Sequence, residues 1–150
     1  MSKKILNIVS SSKGDASFSN KLSSAVIEKL GSVYSGIEIQ TLDLSKTPLP
    51  YLDASQIGAF FTPEEVQTPE QKEAIKNSNN AVKELMEADV IVIGVPLYNF
   101  GIPAALKAWV DQVSRAGLTF NYADGTPKGM VTNKKVYLSV ASGAIFSGGA

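Results

Sequence analysis

Val90-Ile91-Val92-Ile93-Gly94-Val95, followed at once by Pro96-Leu97-Tyr98-Asn99-Phe100-Gly101-Ile102-Pro103, is the stretch that decides the fold. Six residues without polar alternation are what a parallel strand needs when helices cover both of its faces. The run belongs at the centre of a sheet. Even extended to Leu97 it is far shorter than the roughly 20 apolar residues of a membrane-spanning helix.

Before it, Thr68-Pro69-Glu70-Gln71 is a helix start, with Thr at the cap, Pro at the first position and Gln placed to complete a capping box. The spacing predicts a helix to about Glu87, with Ile75, Val82, Leu85 and Met86 inward and Lys72, Lys76, Lys83 and Glu84 in solvent. After it, Pro103 opens a helix whose buried stripe is Leu106, Trp109, Val110 and Val113 and which ends near Gly117. Asp111 and Arg115 stand i,i+4 and are expected to pair on that helix's surface.

Toward the N-terminus, Ile5 to Val9 reads as a strand and Ser10 to Ser19 as a hydroxyl-rich loop. From Asn20 the recurrence of Leu22, Val26 and Leu30, with Ala25 and Val33 beside them, predicts a helix to about Gly31–Val33, capped by Ser17 or Ser19. Ile37, Ile39 and Thr41 alternate with polar neighbours, as in a strand nearer the sheet edge. Leu49 to Thr68 lacks a clean period and reads as an irregular excursion with one helical turn. Gly117 to Asn133 carries the turn chemistry of a small hairpin, Lys135 to Val140 is a fourth strand, and Ala141 to Ala150 is a Gly/Ser-rich loop.

The order β-α-β-α-β-α-β, with right-handed crossovers, specifies a three-layer α/β/α fold around a doubly wound parallel sheet. Residues 1–150 read as a single domain. The fourth strand would lack its covering helix, so the natural protein is expected to be longer at its C-terminus by an αβ unit of roughly thirty residues, which supplies a fifth strand.

Composition narrows the chemistry. The chain has 150 residues, no cysteine and no histidine, which removes disulfides, thiol nucleophiles and Ser-His-Asp catalysis. A carboxylate cluster is the one metal option left, and no metal is expected. Fourteen basic and fourteen acidic residues cancel, so no overall field attracts nucleic acid or an anionic membrane. The N-terminal apolar stretch is too short for a signal peptide, and a cytoplasmic location is the default. An enzyme with this composition needs a cofactor to carry its hard chemistry.

In open α/β sheets ligands bind beyond the carboxyl ends of the strands at the topological switch, which in the order 2-1-3-4-5 lies between strands one and three. The loop after strand one ends at a helix N-terminus, where amide N–H groups and the hydroxyls of Ser11, Ser17 and Ser19 suit a phosphate. Gly14 is its only glycine, so neither a dinucleotide fingerprint nor a P-loop fits, and a monophosphate is favoured. The alternative is that these serines only cap the helix and shape a turn.

The loop after strand three puts Leu97, Tyr98 and Phe100 at the mouth of a buried strand, where a flat apolar ligand would cover them, and its backbone restrictions turn N–H groups near Asn99 and Phe100 toward that ligand's edge. Alternatively, Tyr98 and Phe100 pack under the Leu49–Thr68 excursion. The small residues of the loop from Ala141 permit close backbone approach to a ring.

Ser-Phe-Ser-Asn-Lys-Leu at 17–22, Val-Pro-Leu-Tyr-Asn-Phe-Gly-Ile-Pro at 95–103 and Arg-Ala-Gly-Leu-Thr-Phe-Asn-Tyr at 115–122 together resemble the FMN-dependent NADH:quinone oxidoreductase and azoreductase family, within the flavodoxin-like superfamily. The resemblance runs along essentially the whole chain. It implies that Ser11, Ser17, Phe18 and Ser19 hold the FMN phosphate and that Pro96, Leu97, Tyr98, Asn99 and Phe100 line the isoalloxazine. Ser142 and Gly143 carry over from the loop after strand four, where Ala144 replaces a glycine often found in the family. Tyr122 falls near the substrate pocket.

The implied activity is two-electron transfer from NADH or NADPH through FMN to quinones or azo compounds, in a homodimer with flavin at the subunit interface. A flavodoxin-type electron carrier without NAD(P)H oxidase activity is the alternative.

Overall fold

The computed structural model describes residues 2–123 and 125–144. Four strands, β1 (Lys3–Val9), β2 (Ile37–Asp43), β3 (Val90–Pro96) and β6 (Lys135–Ala141), form a parallel sheet in the order β2-β1-β3-β6. This is the expected doubly wound order, with the first and third parallel strands side by side. Between β3 and β6 the chain makes the anticipated hairpin, β4 (Phe120–Ala123) against β5 (Thr126–Gly129).

Alternate residues of the central strands feed opposite layers. Ile5, Val90 and Val92 pack on α1 (Phe18–Val33) through Leu30, with Val26 and Ile27 partly buried beside them. Leu6, Ile8, Ile91 and Val95 face the other way, toward Val82 and Leu85 of α4 (Lys76–Glu87) and Leu106, Trp109 and Val113 of α5 (Ala104–Val113). On β6, Val136, Leu138 and Val140 are half or more exposed, as expected for a strand whose outer face no described helix covers.

Asp89 gathers the entry ends of three strands. Its carboxylate accepts from the Lys4 amide at 2.9 Å and from Lys3 Nζ at 3.0 Å, its amide donates to the Lys4 carbonyl, and its carbonyl accepts from the Lys135 amide. The Lys4 amide first, then the Lys3 ammonium, hold its pKa below the ordinary 3.8.

The structure corrects several readings of the sequence. Leu22 and Val33 are 47 % and 63 % exposed, while Ser19, Ser23 and Leu30 form the buried face of α1. The reason lies at Gly94, where a Cβ would stand 3.3 Å from Ser23 Oγ and 3.5 Å from Asn20 Oδ1. The helix lies so close to β3 there that only small side chains fit between them, and Leu22 turns aside.

The helix begun by the Thr68 capping box breaks at Ile75 into α3 (Pro69–Ala74) and α4, and Met86 is 45 % exposed. The excursion is more ordered than its pattern suggested. It contains α2 (Ala54–Phe60) and a short 3-10 turn at Glu64–Val66. Polar contacts fix it, with Gln112 Nε2 donating to the Pro50 carbonyl at 2.8 Å and Gln56 Nε2 to the Ala74 carbonyl at 3.0 Å. Asp111 and Arg115 do not pair: α5 stops at Val113, Asp111 takes Lys107 at 2.6 Å, and Arg115 turns into the protein.

Two tests follow from this packing. Gly94→Val overfills the α1–β3 contact and should lower unfolding free energy by about 1–3 kcal/mol in urea titrations. Because the folded-state pKa of Asp89 is depressed, its contribution is complete above the unfolded value and fades as pH falls through the folded one. Asp89→Asn should therefore be less stable than wild type at neutral pH, with the gap closing below the ordinary value of 3.8, as thermal melts across that range would show.

Candidate functional site

At the carboxyl ends of β1, β3 and β6 a cavity of about 350 Å³ opens, within the range of small-molecule sites. Ser11, Ser17, Phe18, Ser19, Pro96, Leu97, Tyr98, Ser142 and Gly143 line it. Nine of the eleven residues named from sequence as cofactor-binding thus meet in one place, drawn from three loops far apart in the chain. Two lining residues, Lys13 and Ala141, were not among them. Lys13 sat within a loop read for hydroxyls, and Ala141 carries no chemical signal of its own.

The first wall is the start of α1. Ser17 caps the helix, its Oγ accepting from the Asn20 amide at 3.3 Å and lying 3.0 Å from Ser19 Oγ. The first helical bond runs from the Lys21 amide to the Ser17 carbonyl at 3.1 Å, so the amides of Phe18 and Ser19 precede the helix's internal bonding. Ser11, Ser17 and Ser19 are buried. Hence Ser17 does cap the helix, and the hydroxyl-bearing Ser11, Ser17 and Ser19 line one space beside its start.

The second wall is the loop after β3. The Tyr98 and Gly101 backbones exchange hydrogen bonds at 2.9 and 3.0 Å around Asn99 and Phe100, whose φ values are +50° and +65°. Two consecutive left-handed residues make a tight reversal that asparagine tolerates and phenylalanine resists. Such strain, of order 1–3 kcal/mol per residue, persists where the surroundings impose it and gathers at functional sites. Phe100 is 87 % exposed, which rules out the reading that it packs under the excursion. Asn99 and Phe100, also named from sequence, do not line the cavity.

Two links hold the walls together. Ser11 Oγ and Tyr98 Oη lie 3.2 Å apart, and the Leu97 amide donates to the Ala141 carbonyl at 2.8 Å. The Ser11 hydrogen bond, aided by the nearby Lys13 charge, holds the Tyr98 phenol below its ordinary pKa of 10.0. Ser142 turns its hydroxyl to the Ala144 carbonyl at 2.7 Å, and the remainder of that loop, from residue 145, lies outside the described residues. Tyr122 sits elsewhere, on β4, 68 % exposed and edge-on to Phe120 at 5.7 Å.

The arrangement suits a ligand with an anionic end and a flat body. Amides at a helix start and buried hydroxyls meet the anion. Leu97 and Tyr98 offer an apolar surface, and the third loop has only the small residues Ala141, Ser142 and Gly143 at the cavity. These residues fit FMN. Among the described residues no cluster of acidic side chains could hold a metal ion, and no helix is long and apolar enough to cross a membrane.

Comparison with known proteins bears on the family and the fold. The model of a family described as having a flavodoxin-like fold matches residues 3–150. An FMN-dependent NADH:quinone oxidoreductase of Herminiimonas arsenicoxydans is 49 % identical over 97 % of this chain and 72 % of its own length. Among solved structures, an azoreductase from Bacillus anthracis str. Sterne superposes with a TM-score of 0.87 at 30 % identity, covering 99 % of this chain and 73 % of that one. An FMN-dependent NADH-azoreductase from Bacillus anthracis str. Ames Ancestor, solved in complex with FMN, gives 0.82 at 26 % identity, covering 96 % and 71 %. The chain belongs to the family of FMN-dependent NADH:quinone oxidoreductases and azoreductases, with a flavodoxin-like fold.

Proposed function

We infer that this chain is an FMN-dependent oxidoreductase that uses NADH to reduce quinones and azo compounds, and that the cavity between the α1 start and the Tyr98–Gly101 turn is where FMN binds. The observation that carries the reading is the convergence of a capped helix start and a strained aromatic turn on one cavity at the switch point of the sheet. When bound, FMN supplies the two-electron chemistry that the chain's own side chains lack.

The protein's part is placement. The Phe18 and Ser19 amides and the Ser17 and Ser19 hydroxyls hold the phosphate, while Leu97 and Tyr98 support the ring. Asn99 and Phe100, forced into the left-handed region, bring backbone amides to the ring's edge. Ser11, bonded to Tyr98, fixes the ring-side wall to the phosphate-side wall. The chain has no histidine or cysteine to act as acid or base there, and solvent is the proposed source of protons. Phe100 and Tyr122, both largely exposed, suit a homodimer in which a second copy completes the substrate pocket.

Titrating apo-protein with FMN, followed by flavin fluorescence, should show saturable binding. Ser17→Ala and Tyr98→Ala should each weaken it by about tenfold, the loss of one good hydrogen bond or ring contact. Unaltered affinity in both would remove the cavity from consideration. Steady-state oxidation of NADH by the FMN-loaded protein should depend on added quinone and give parallel double-reciprocal lines, as expected when two substrates share one pocket in turn. A flavoprotein inert toward NADH would instead be an electron carrier.

A further inference from the structure

Arg115 lies just beyond the end of α5, away from the flavin cavity, and its surroundings are short of negative charge. It is 7 % exposed, with its guanidinium 3.9 Å from the centre of the Phe60 ring. Nη1 donates to Ser78 Oγ at 2.8 Å and to Asn79 Oδ1 at 3.0 Å, both neutral acceptors. Among the described residues Arg115 enters no ion pair, and its Nε and Nη2 hydrogens meet no acceptor. Burial alone pushes its pKa below the ordinary arginine value, yet a guanidinium stays charged near neutrality.

Arg115 forms part of the wall of an open cleft of about 600 Å³ that shares no residue with the flavin cavity. Lys72 and Lys83 line the same cleft, and among the described residues Glu64 is the one carboxylate that does. Lys83 is held only loosely, 4.0 Å from Glu87, and Lys72 is in no ion pair among the described residues. Three cations against one carboxylate, with the most buried cation bonded only to neutral groups, is an arrangement that an anion would complete. The open edge of a guanidinium, with Nε–H and Nη2–H side by side, matches two oxygens of a carboxylate or phosphate.

We propose that this cleft is a second ligand site, which binds a small molecule through its carboxylate or phosphate group at the free edge of Arg115, with Lys72 and Lys83 closing on the same group. Its volume is that of a small-molecule site, and the Phe60 ring and Leu118 give the rest of such a ligand an apolar wall. The inference does not depend on what the flavin cavity binds.

Calorimetric titration of the FMN-saturated protein with inorganic phosphate and with citrate, chloride adjusted to constant ionic strength, tests it. Flavin saturation keeps the probes out of the first site and is read independently by absorbance. Saturable binding of either probe is expected, and which of the two binds tells a phosphate ester from a carboxylate. The double variant Lys72→Gln/Lys83→Gln, altered only at exposed positions, should weaken it by about tenfold. Arg115→Gln should abolish it with flavin content unchanged; if that variant does not fold, the lysine pair decides alone. No saturable binding to wild type, or equal binding to the lysine variant, overturns the proposal. So does a wild type that binds neither probe but forms oligomers that Arg115→Gln dissociates, for the arginine would then seat a carboxylate of a second copy.

Discussion

Burial of β3 on both faces is the constraint from which the rest follows. Val90 and Val92 are sealed by α1, Ile91 and Val95 by α4 and α5, and hydrogen bonds to β1 and β6 occupy both edges. Each such aliphatic side chain contributes about 1.5–3 kcal/mol when fully buried. A strand so enclosed leaves the sheet only at its carboxyl end, beside the end of β1. The loops after the two strands must therefore share the same space. The left-handed residues Asn99 and Phe100 are tolerated because the turn is clamped on three sides, by its own Tyr98–Gly101 bonds, by Leu97 to Ala141, and by Tyr98 to Ser11.

The same strand sets the position of the cavity wall formed by the start of α1. Gly94 lets α1 approach closely, with Ser19 and Ser23 inward, and Ser10 Oγ donates to the Gly94 carbonyl at 2.6 Å. A larger residue at 94 would move the α1 start away from the Tyr98 turn. Small residues in mid-strand and on the inner face of a helix look like weak packing when considered alone; here they set the spacing between the α1 start and the Tyr98 turn.

How much of this was legible depends on the range of the interaction involved. The strands, the capped helix starts and the Tyr98–Gly101 turn are local: β-branched runs, Thr68 with Gln71, and Pro and Gly around Asn99 declare themselves within a few residues. The meeting of the three loops could be argued because the sheet topology is a rule, which reached Ser11, Ser17, Ser19, Leu97 and Tyr98; Phe18, Pro96, Ser142 and Gly143 came with the family resemblance. What escaped depends on tertiary partners. Leu22 is turned out by Gly94, some seventy residues later in the chain. The excursion is held by Gln56 and Gln112, which no period reveals. Arg115 had an i,i+4 partner in sequence, but the helix ended at Val113 and Lys107 had already taken Asp111.

The electrostatics of the flavin cavity can be ranked by magnitude. Among the described residues Lys13 is the only charged side chain lining it, and it is exposed, where solvent and salt reduce a single charge's contribution to roughly 0–1 kcal/mol. Hydrogen bonds to a charged group contribute about 1.5–3 kcal/mol each, and the start of α1 presents two amides and two hydroxyls that are already fixed in place by the Ser17 cap. Their preorganisation removes most of the ordering cost that a flexible lysine would carry. On the proposed reading the grip on the anion would therefore come chiefly from backbone and serine, and a chain with equal numbers of acidic and basic residues, and no histidine, would need no cluster of arginines for it.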